Sequence, residues 1–358
     1  MPAGKKPCGK VASLREIEEA AVVNRLSHSG QHFAKTDMIR TQKVLCNLCG
    51  SEDSTFLFHA RDRLHGIGDI FSYIQCKECG LVYMNPQVIP EDIEKLYPAD
   101  YHPHSPTKKG IGLAIRSFQN RIIKIPVVGY FVKGMMNVKI VDPIYRRLNQ
   151  QSLILDVGCG NGSFLNTVRT DKGCEVYGVD ISEAAVREAR SSFGLEIFKG
   201  TITEVPLTND YFDIITAWWY LEHIPNPNAT LARISSLLKH NGYCIMGVPN
   251  FNSFCAKHFK DKWYHLDCPR HLCIWTPCTI TRLLEKHGLL VTRIIYDKTP
   301  WGLLGSLQYL LYGDNINPKY RNRLRHSFLL WILLLPLTIL ASLLKKSDIM
   351  VIYARKKR

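Results

Sequence analysis

Asp156, Gly158, Gly160 and Gly162 stand at alternate positions in the run Leu-Ile-Leu-Asp-Val-Gly-Cys-Gly-Asn-Gly from Leu153, and Asp180 follows a second apolar run. Glycine lets a backbone turn tightly and come close to a ligand. A carboxylate about 20 residues past such a turn can accept both hydroxyls of a ribose. Together these residues describe a site for a nucleotide cofactor. The acid before the turn narrows the cofactor's charge: Asp156 would repel a pyrophosphate but suits an amino-acid ammonium beside a sulfonium. Dinucleotide sites also favour the spacing G-x-G-x-x-G, whereas this chain has G-x-G-x-G.

A second constellation is made of sulfur. Cys46-x-x-Cys49 and Cys76-x-x-Cys79, each followed by glycine, are two knuckles that supply four thiolates for tetrahedral zinc. Four thiolates leave no open position for a substrate, so this zinc is expected to be structural. A third candidate is His223, in Trp218-Trp219-Tyr220-Leu221-Glu222-His223. It titrates near neutrality and stands just past a strand end, where open α/β sheets place their ligands. It is a candidate base for an acceptor hydroxyl.

The elements that must position these groups follow from periodicity. Leu153–Val157, Glu175–Val179, Glu196–Phe198, Phe212–Trp218 and Gly242–Val248 read as strands in an α/β order. Asn226–Lys239 reads as a helix with Leu231, Ile234, Leu237 and Leu238 on one face. Leu289–Tyr296 and Asp348–Ala354 read as the two last strands.

With this layout the chain resembles the class I S-adenosylmethionine-dependent methyltransferases, whose first motif matches Leu155-Asp156-Val157-Gly158-Cys159-Gly160-Asn161-Gly162. The resemblance implies a Rossmann-like, seven-stranded sheet whose last two strands are neighbours at one edge, one of them antiparallel. It also implies that Asp156, Gly158, Gly160 and Gly162 hold the methionine part of the cofactor and Asp180 its ribose. Thr201 and Ile202 fall where the family frames adenine. The resemblance narrows to quinone-biosynthesis-like and polysaccharide-cluster methyltransferases, where a Pro-Arg-His-Leu segment, here Pro269 to Leu272, leads into a helix. It makes His271 the second candidate base and Asp267 and Arg270 candidate substrate contacts.

Net charge is +15, and its location says more than its size. Residues 105–150 hold nine Lys or Arg against one Asp, and residues 301–358 hold ten against two, which accounts for the whole excess. Both regions are rich in bulky apolar residues, which a nucleic-acid face does not need. Residues 40–80, by contrast, carry five basic and five acidic side chains, so the cysteine-bearing segment lacks the positive charge that phosphate binding uses. Residues 328–344 are 17 residues without a charge, near the lower limit for crossing a bilayer and interrupted by Pro336. Since both flanking strands must join one sheet, the insertion must leave and return on the same side. A re-entrant hairpin or helices lying in the interface are expected, with Arg321, Arg323, Arg325, Lys345 and Lys346 beside anionic headgroups. A buried helix or a dimer contact is the alternative.

The expected organisation is an extension over 1–40, helical or poorly ordered, with no apolar core for a cleaved leader and with Met38 as an alternative start. A zinc ribbon and linker cover 41–104 and a basic amphipathic segment 105–150. The methyltransferase core covers 151–300, the apolar insertion 301–346, and the last strand and basic tail 347–358. The expected function is methyl transfer to a lipid-linked or amphipathic acceptor, such as a glycolipid or polysaccharide intermediate or a quinone precursor. It would act at the cytoplasmic face of the membrane, attached peripherally or re-entrantly. An RNA methyltransferase gripping its substrate through the ribbon and a non-catalytic, cofactor-binding scaffold are the competing readings. Acceptor, methylated atom and oligomeric state are not legible.

Overall fold

The computed structural model describes residues 38–68, 70–97, 148–313, 324–325 and 327–357. The expected N-terminal extension and almost all of the basic amphipathic segment lie outside them. The described residues from Ile39 onward form one compact unit. At its centre is a sheet built from β6 (Leu153–Val157), β7 (Glu175–Asp180), β8 (Glu196–Lys199), β9 (Phe212–Trp218), β10 (Leu238–Pro249), β12 (Leu289–Tyr296) and β13 (Ile349–Lys356). Its order is β12-β13-β10-β9-β6-β7-β8. Every pairing from β8 to β10 is parallel, whereas β13 runs antiparallel to both β10 and β12. This is the α/β arrangement expected from the sequence. β10 begins earlier than its apolar run, and its pairing with β9 shifts register between Leu238 and Tyr243.

Alternation along the strands divides the core into two faces. Leu155, Val157, Phe212 and Ile215 point into one apolar cluster, and Ile154, Val176, Ile197 and Ile214 into the other. On the second face lie α1 (Ser163–Lys172) and α2 (Glu183–Phe193), through Leu165, Val168, Val186 and Ala189. On the first lie α3 (Pro227–Leu237) and α5 (Pro277–Lys286), through Leu231, Ile234, Leu283 and Leu284. Between them, α4 (Phe254–Phe259) opens the loop that follows β10.

The cysteine-bearing segment shares this core. Cys46, Leu48, Leu81 and Tyr83 pack in the same cluster as Leu231 and Trp275. Its strands β2 (Ser54–Ala60), β3 (Phe71–Cys76) and β4 (Val82–Met84) form a second sheet whose fourth strand, β11 (Cys273–Ile274), comes from the loop after β10. Cys273 pairs with Tyr83 and Ile274 with Val82. A short pair, β1 (Thr41–Gln42) and β5 (Gln87–Val88), closes the base of the segment.

Between β12 and β13 the insertion forms α6 (Trp301–Tyr312) and α7 (Phe328–Leu343). The hydroxyls of Thr338 and Ser342 on α7 donate to the carbonyls of Lys298 and Tyr296 at 2.7 and 2.9 Å, which fixes one face of the helix against the end of β12. No described helix is long and apolar enough to cross a membrane.

Candidate active site and cysteine centre

The glycine turn forms between β6 and α1. Gly158, Gly160 and Gly162 all adopt positive φ, a region open to glycine and costly for other residues. A Cβ on Gly158 would stand 2.5 Å from the Tyr220 ring, and one on Gly162 would stand 2.6 Å from Leu195. Asp156 is buried at the end of β6, where the Thr216 hydroxyl donates to its Oδ1 at 2.6 Å. Asp180 closes the turn from β7: its two oxygens accept from the N–H of Gly160 at 2.7 Å and of Ser182 at 2.8 Å. Those bonds hold the carboxylate beside the turn and leave lone pairs on both oxygens. Ile202 is buried, and the Thr201 hydroxyl bonds Thr203 at 2.9 Å on the next loop. Two acids at the strand ends and a backbone without Cβ atoms fit an amino-acid ammonium and a ribose.

Past β9 the chain makes a strained turn. Trp219 has φ 55°, outside the range comfortable for a tryptophan, and its ring stacks on His265 at 6.2 Å between centroids. Tyr220 packs over Gly158, and a short helix carries Glu222 and His223. The loop after β10 faces them: His271 lies edge-on to His223, with ring centroids 4.6 Å apart. The structure therefore brings the two candidate histidines together.

Their environments differ. His271 is buried, and its Nδ1 lies 2.9 Å from the His265 carbonyl. A carbonyl only accepts, so Nδ1 carries the proton and Nε2 is the bare nitrogen. Burial, with His223 adding to it, holds the His271 pKa well below the ordinary value, so the ring is neutral. Its Nε2 faces Glu222 Oε1 at 4.0 Å. Glu222 is itself wholly buried, no other described residue hydrogen-bonds its carboxyl oxygens, and burial pushes its pKa up to about 8. A protonated carboxyl is the form this pocket tolerates at neutral pH. His223 is only partly buried, which makes it the more accessible of the two.

Arg270 and Asp267 are placed as structure rather than as an open substrate face. Arg270 is 1% exposed and bonds both oxygens of Asp62 at 2.9 Å. It also bonds Asp267 at 2.8 to 3.0 Å and the Leu96 carbonyl at 3.3 Å. Sequence reasoning missed Asp62 and also Tyr97, whose phenol oxygen lies 2.9 Å from His223 Nδ1; both partners are more than 120 residues away. An arginine inside the apolar frame Leu266 to Leu272 was the one available hint.

Cys46, Cys49, Cys76 and Cys79 bring their sulfurs within 4.8 Å of one another. Cys46 and Cys79 are 3.4 Å apart, and Cys49 and Cys76 are 3.5 Å apart. Sulfurs around a tetrahedral zinc sit roughly 3.8 Å apart, so this set can close on such an ion with small adjustments. Gly50 and Gly80 donate to the Cys46 and Cys76 carbonyls at 2.8 and 2.9 Å, forming both knuckle turns.

A methyltransferase-domain family model matches residues 136–294. Ubiquinone biosynthesis O-methyltransferase of Thiobacillus denitrificans is 34% identical over 107 residues, 28% of this chain and 45% of that protein. The enzyme of the same name from Aeromonas salmonicida is 28% identical over 150 residues, 38% of this chain and 63% of that protein. The chain thus spans about half the length of the curated relatives it matches. Among solved structures, an S-adenosylmethionine-dependent methyltransferase from Thermotoga maritima aligns with a TM-score of 0.42 at 17% identity, covering 63% of this chain and 89% of that one. Strands β6 to β10, the acid-framed glycine turn and the short helix that carries His223 all lie within the matched stretch, which identifies residues 136–294 as a methyltransferase domain.

Proposed function

We propose that the chain transfers a methyl group from S-adenosylmethionine to a lipid-linked or amphipathic acceptor at the cytoplasmic face of a membrane. Asp156 and the turn Gly158-Gly160-Gly162 would hold the methionine end, Asp180 the ribose, and Thr201 and Ile202 the adenine. When bound, the cofactor supplies an electrophilic methyl carbon on sulfur. The chain's own task is to align the acceptor atom with that carbon, exclude water and receive a proton. His223, partly open beside the turn, is the proposed base, and His271 is its buried neighbour. The four cysteines would hold a structural zinc within the ribbon, which is joined to the loop bearing His271 by the pairing of β4 with β11.

The observation that carries the membrane reading is the outer face of α7. Leu329, Ile332, Leu333, Leu337, Leu340 and Leu343 are all more than half exposed, and Leu310 and Leu311 at the end of α6 are exposed as well. Leucines at this spacing, all turned outward, need an apolar partner. Of the basic residues expected near headgroups, Arg321 and Arg323 lie outside the described residues, and Arg325 is largely buried. Its guanidinium lies 4.5 Å above the Tyr264 ring and 5.4 Å from that of Trp301, and burial lowers its pKa to about 10. Past the helix, Lys345 is exposed, and the Lys346 ammonium donates to Asn252 Oδ1 at 2.9 Å. The relatives are named for ubiquinone biosynthesis, and a quinone precursor and a polyprenyl-linked sugar both fit an acceptor presented at such a surface.

The test incubates purified protein and methyl-labelled cofactor with separated lipid, RNA and small-molecule extracts. Label in the lipid fraction supports the proposal. Label confined to RNA or to soluble nucleotide sugars contradicts it. Removal of residues 328–344 should release the protein from anionic vesicles, and unchanged partition would refute the anchoring role.

A further inference from the structure

Two tryptophans follow one another at the end of β9, and the fold treats them oppositely. Trp218 lies on Gly247 of the neighbouring strand, where a Cβ would stand 3.0 Å from its ring. Trp219 turns outward and is 41% exposed. It stands beside the glycine turn. Ala217 pairs with Val157, the residue before Gly158, and Tyr220, next in the chain, covers Gly158. The backbone of Trp219 donates to the Gly247 carbonyl at 2.9 Å, and its φ of 55° lies in the left-handed region. Neither the exposure nor the strain serves stability. An exposed indole gains little from burial, and glycine would take this backbone without strain.

A wall of rings stands behind the indole. It is parallel to the His265 ring within 8°, with centroids 6.2 Å apart. Burial lowers the His265 pKa, so this neighbour is uncharged at neutral pH. Trp263 and Tyr264 meet the His265 ring edge-on, at 6.2 and 5.2 Å. Tyr264 is in turn held by α6. Its N–H donates to Ser306 Oγ at 3.0 Å, and Gly305 comes so near that a Cβ there would stand 2.4 Å from the tyrosine ring. Tyr309 of α6 closes the series, 5.8 Å from Tyr264, and the residues after it, Leu310 and Leu311, are exposed. A series of rings therefore links the neighbourhood of the glycine turn to the helix whose end carries exposed leucines.

We propose that Trp219 is the platform on which the acceptor's ring lies, so that the atom to be methylated faces the methyl donor in the glycine turn. The proposal rests on the reading of that turn as the methyl-donor site. An indole face takes the flat side of an aromatic ring by stacking and the C–H side of a sugar ring by the same attraction. The chemistry it selects is therefore a six-membered ring with an apolar face. The bond to Gly247 and the contact with His265 fix the platform, so a ring laid on it is held in one orientation toward the donor. Trp219 takes no part in proton transfer.

The probes are a farnesyl-substituted catechol and a farnesyl-phosphate-linked hexose, each added in detergent micelles to the full chain saturated with the demethylated donor. One of them should shift the tryptophan emission of the wild type, and Trp219→Phe should lose most of that shift. Trp219→Gly should bind the same probe about tenfold more weakly. In labelling assays its KM for that probe should rise by a similar factor with kcat within about twofold, and its calorimetric affinity for S-adenosylmethionine should be unchanged. Its melting temperature should equal or exceed that of the wild type, because the strain is gone. No emission shift with either probe, or equal binding of the probe by Trp219→Gly, overturns the proposal. Loss of binding to anionic vesicles in Trp219→Gly with probe affinity intact would also overturn it, assigning the indole to the lipid surface. A probe that binds and shifts the emission but is never methylated would refute methyl transfer to that compound and leave the platform standing.

Discussion

Replacing Arg270 by methionine should destabilise the protein by about 3–5 kcal/mol, the cost of removing one partner from a buried ion pair. The figure applies because the side chains of Arg270 and Asp62 are both fully buried, so no water replaces the lost bonds. Asp62 would keep the backbone N–H groups of Leu64 and His65 at 2.8 and 2.9 Å, which holds the loss within that range. Arg270→Lys retains the charge but not the fork, and should cost about 1–3 kcal/mol. The pH dependence follows from Asp267. Burial alone would raise its pKa, but the charge and hydrogen bonds of Arg270 outweigh this and hold it well below the usual range. A depressed carboxylate stabilises the fold above its unfolded value of about 3.9, and that contribution is lost as pH falls. Wild-type stability should therefore fall steeply below about pH 4, and Arg270→Met should show a shallower decline. Urea unfolding followed by fluorescence from pH 3 to 8 measures both effects. A methionine variant within 1 kcal/mol of wild type at pH 7 would refute the assignment of Arg270 as the strut between ribbon and loop.

Three further outcomes follow. Gly158→Ala, which needs φ near 71° and places a methyl against Tyr220, should lose about 1–3 kcal/mol and bind the methyl donor more than tenfold more weakly by calorimetry. Purified protein should contain one zinc per chain by elemental analysis, and Cys46→Ser or chelation should lower both its melting temperature and its labelling rate, because β11 belongs to the ribbon sheet. Glu222, with its pKa raised to about 8, should make the wild type lose stability as pH rises from its unfolded value toward 8, by at most ~1.4 kcal/mol per unit. Glu222→Gln should abolish that slope; an identical pH profile in the two proteins would contradict a neutral Glu222.

The core sheet was legible because its strands follow short apolar runs, and β6, β7 and β12 are closed by Gly158, Asp180 and Asp297 as well. β6, β9 and β12 coincide with the runs from Leu153, Phe212 and Leu289. The glycine turn and its two acids were legible for the same reason, since local spacing carries the chemistry. What the sequence hid is held by distant partners. β11 is two residues long and has no periodicity to detect, yet it joins the ribbon to the loop. Tyr97 and His223 are 126 positions apart, and Asp62 and Arg270 are 208 apart. Their pairing depends on tertiary packing, for which a single chain gives no local signal. The same reason explains Arg325, whose charge suggested a headgroup contact while its folded position lies between two aromatic rings.

Calorimetry of folded protein with S-adenosylmethionine and its demethylated product tests the account most directly, run beside Asp156→Ala. The account predicts saturable one-to-one binding of both compounds to the wild type, weakened at least tenfold in the variant. Absence of binding to the wild type, or equal binding to both proteins, would contradict it.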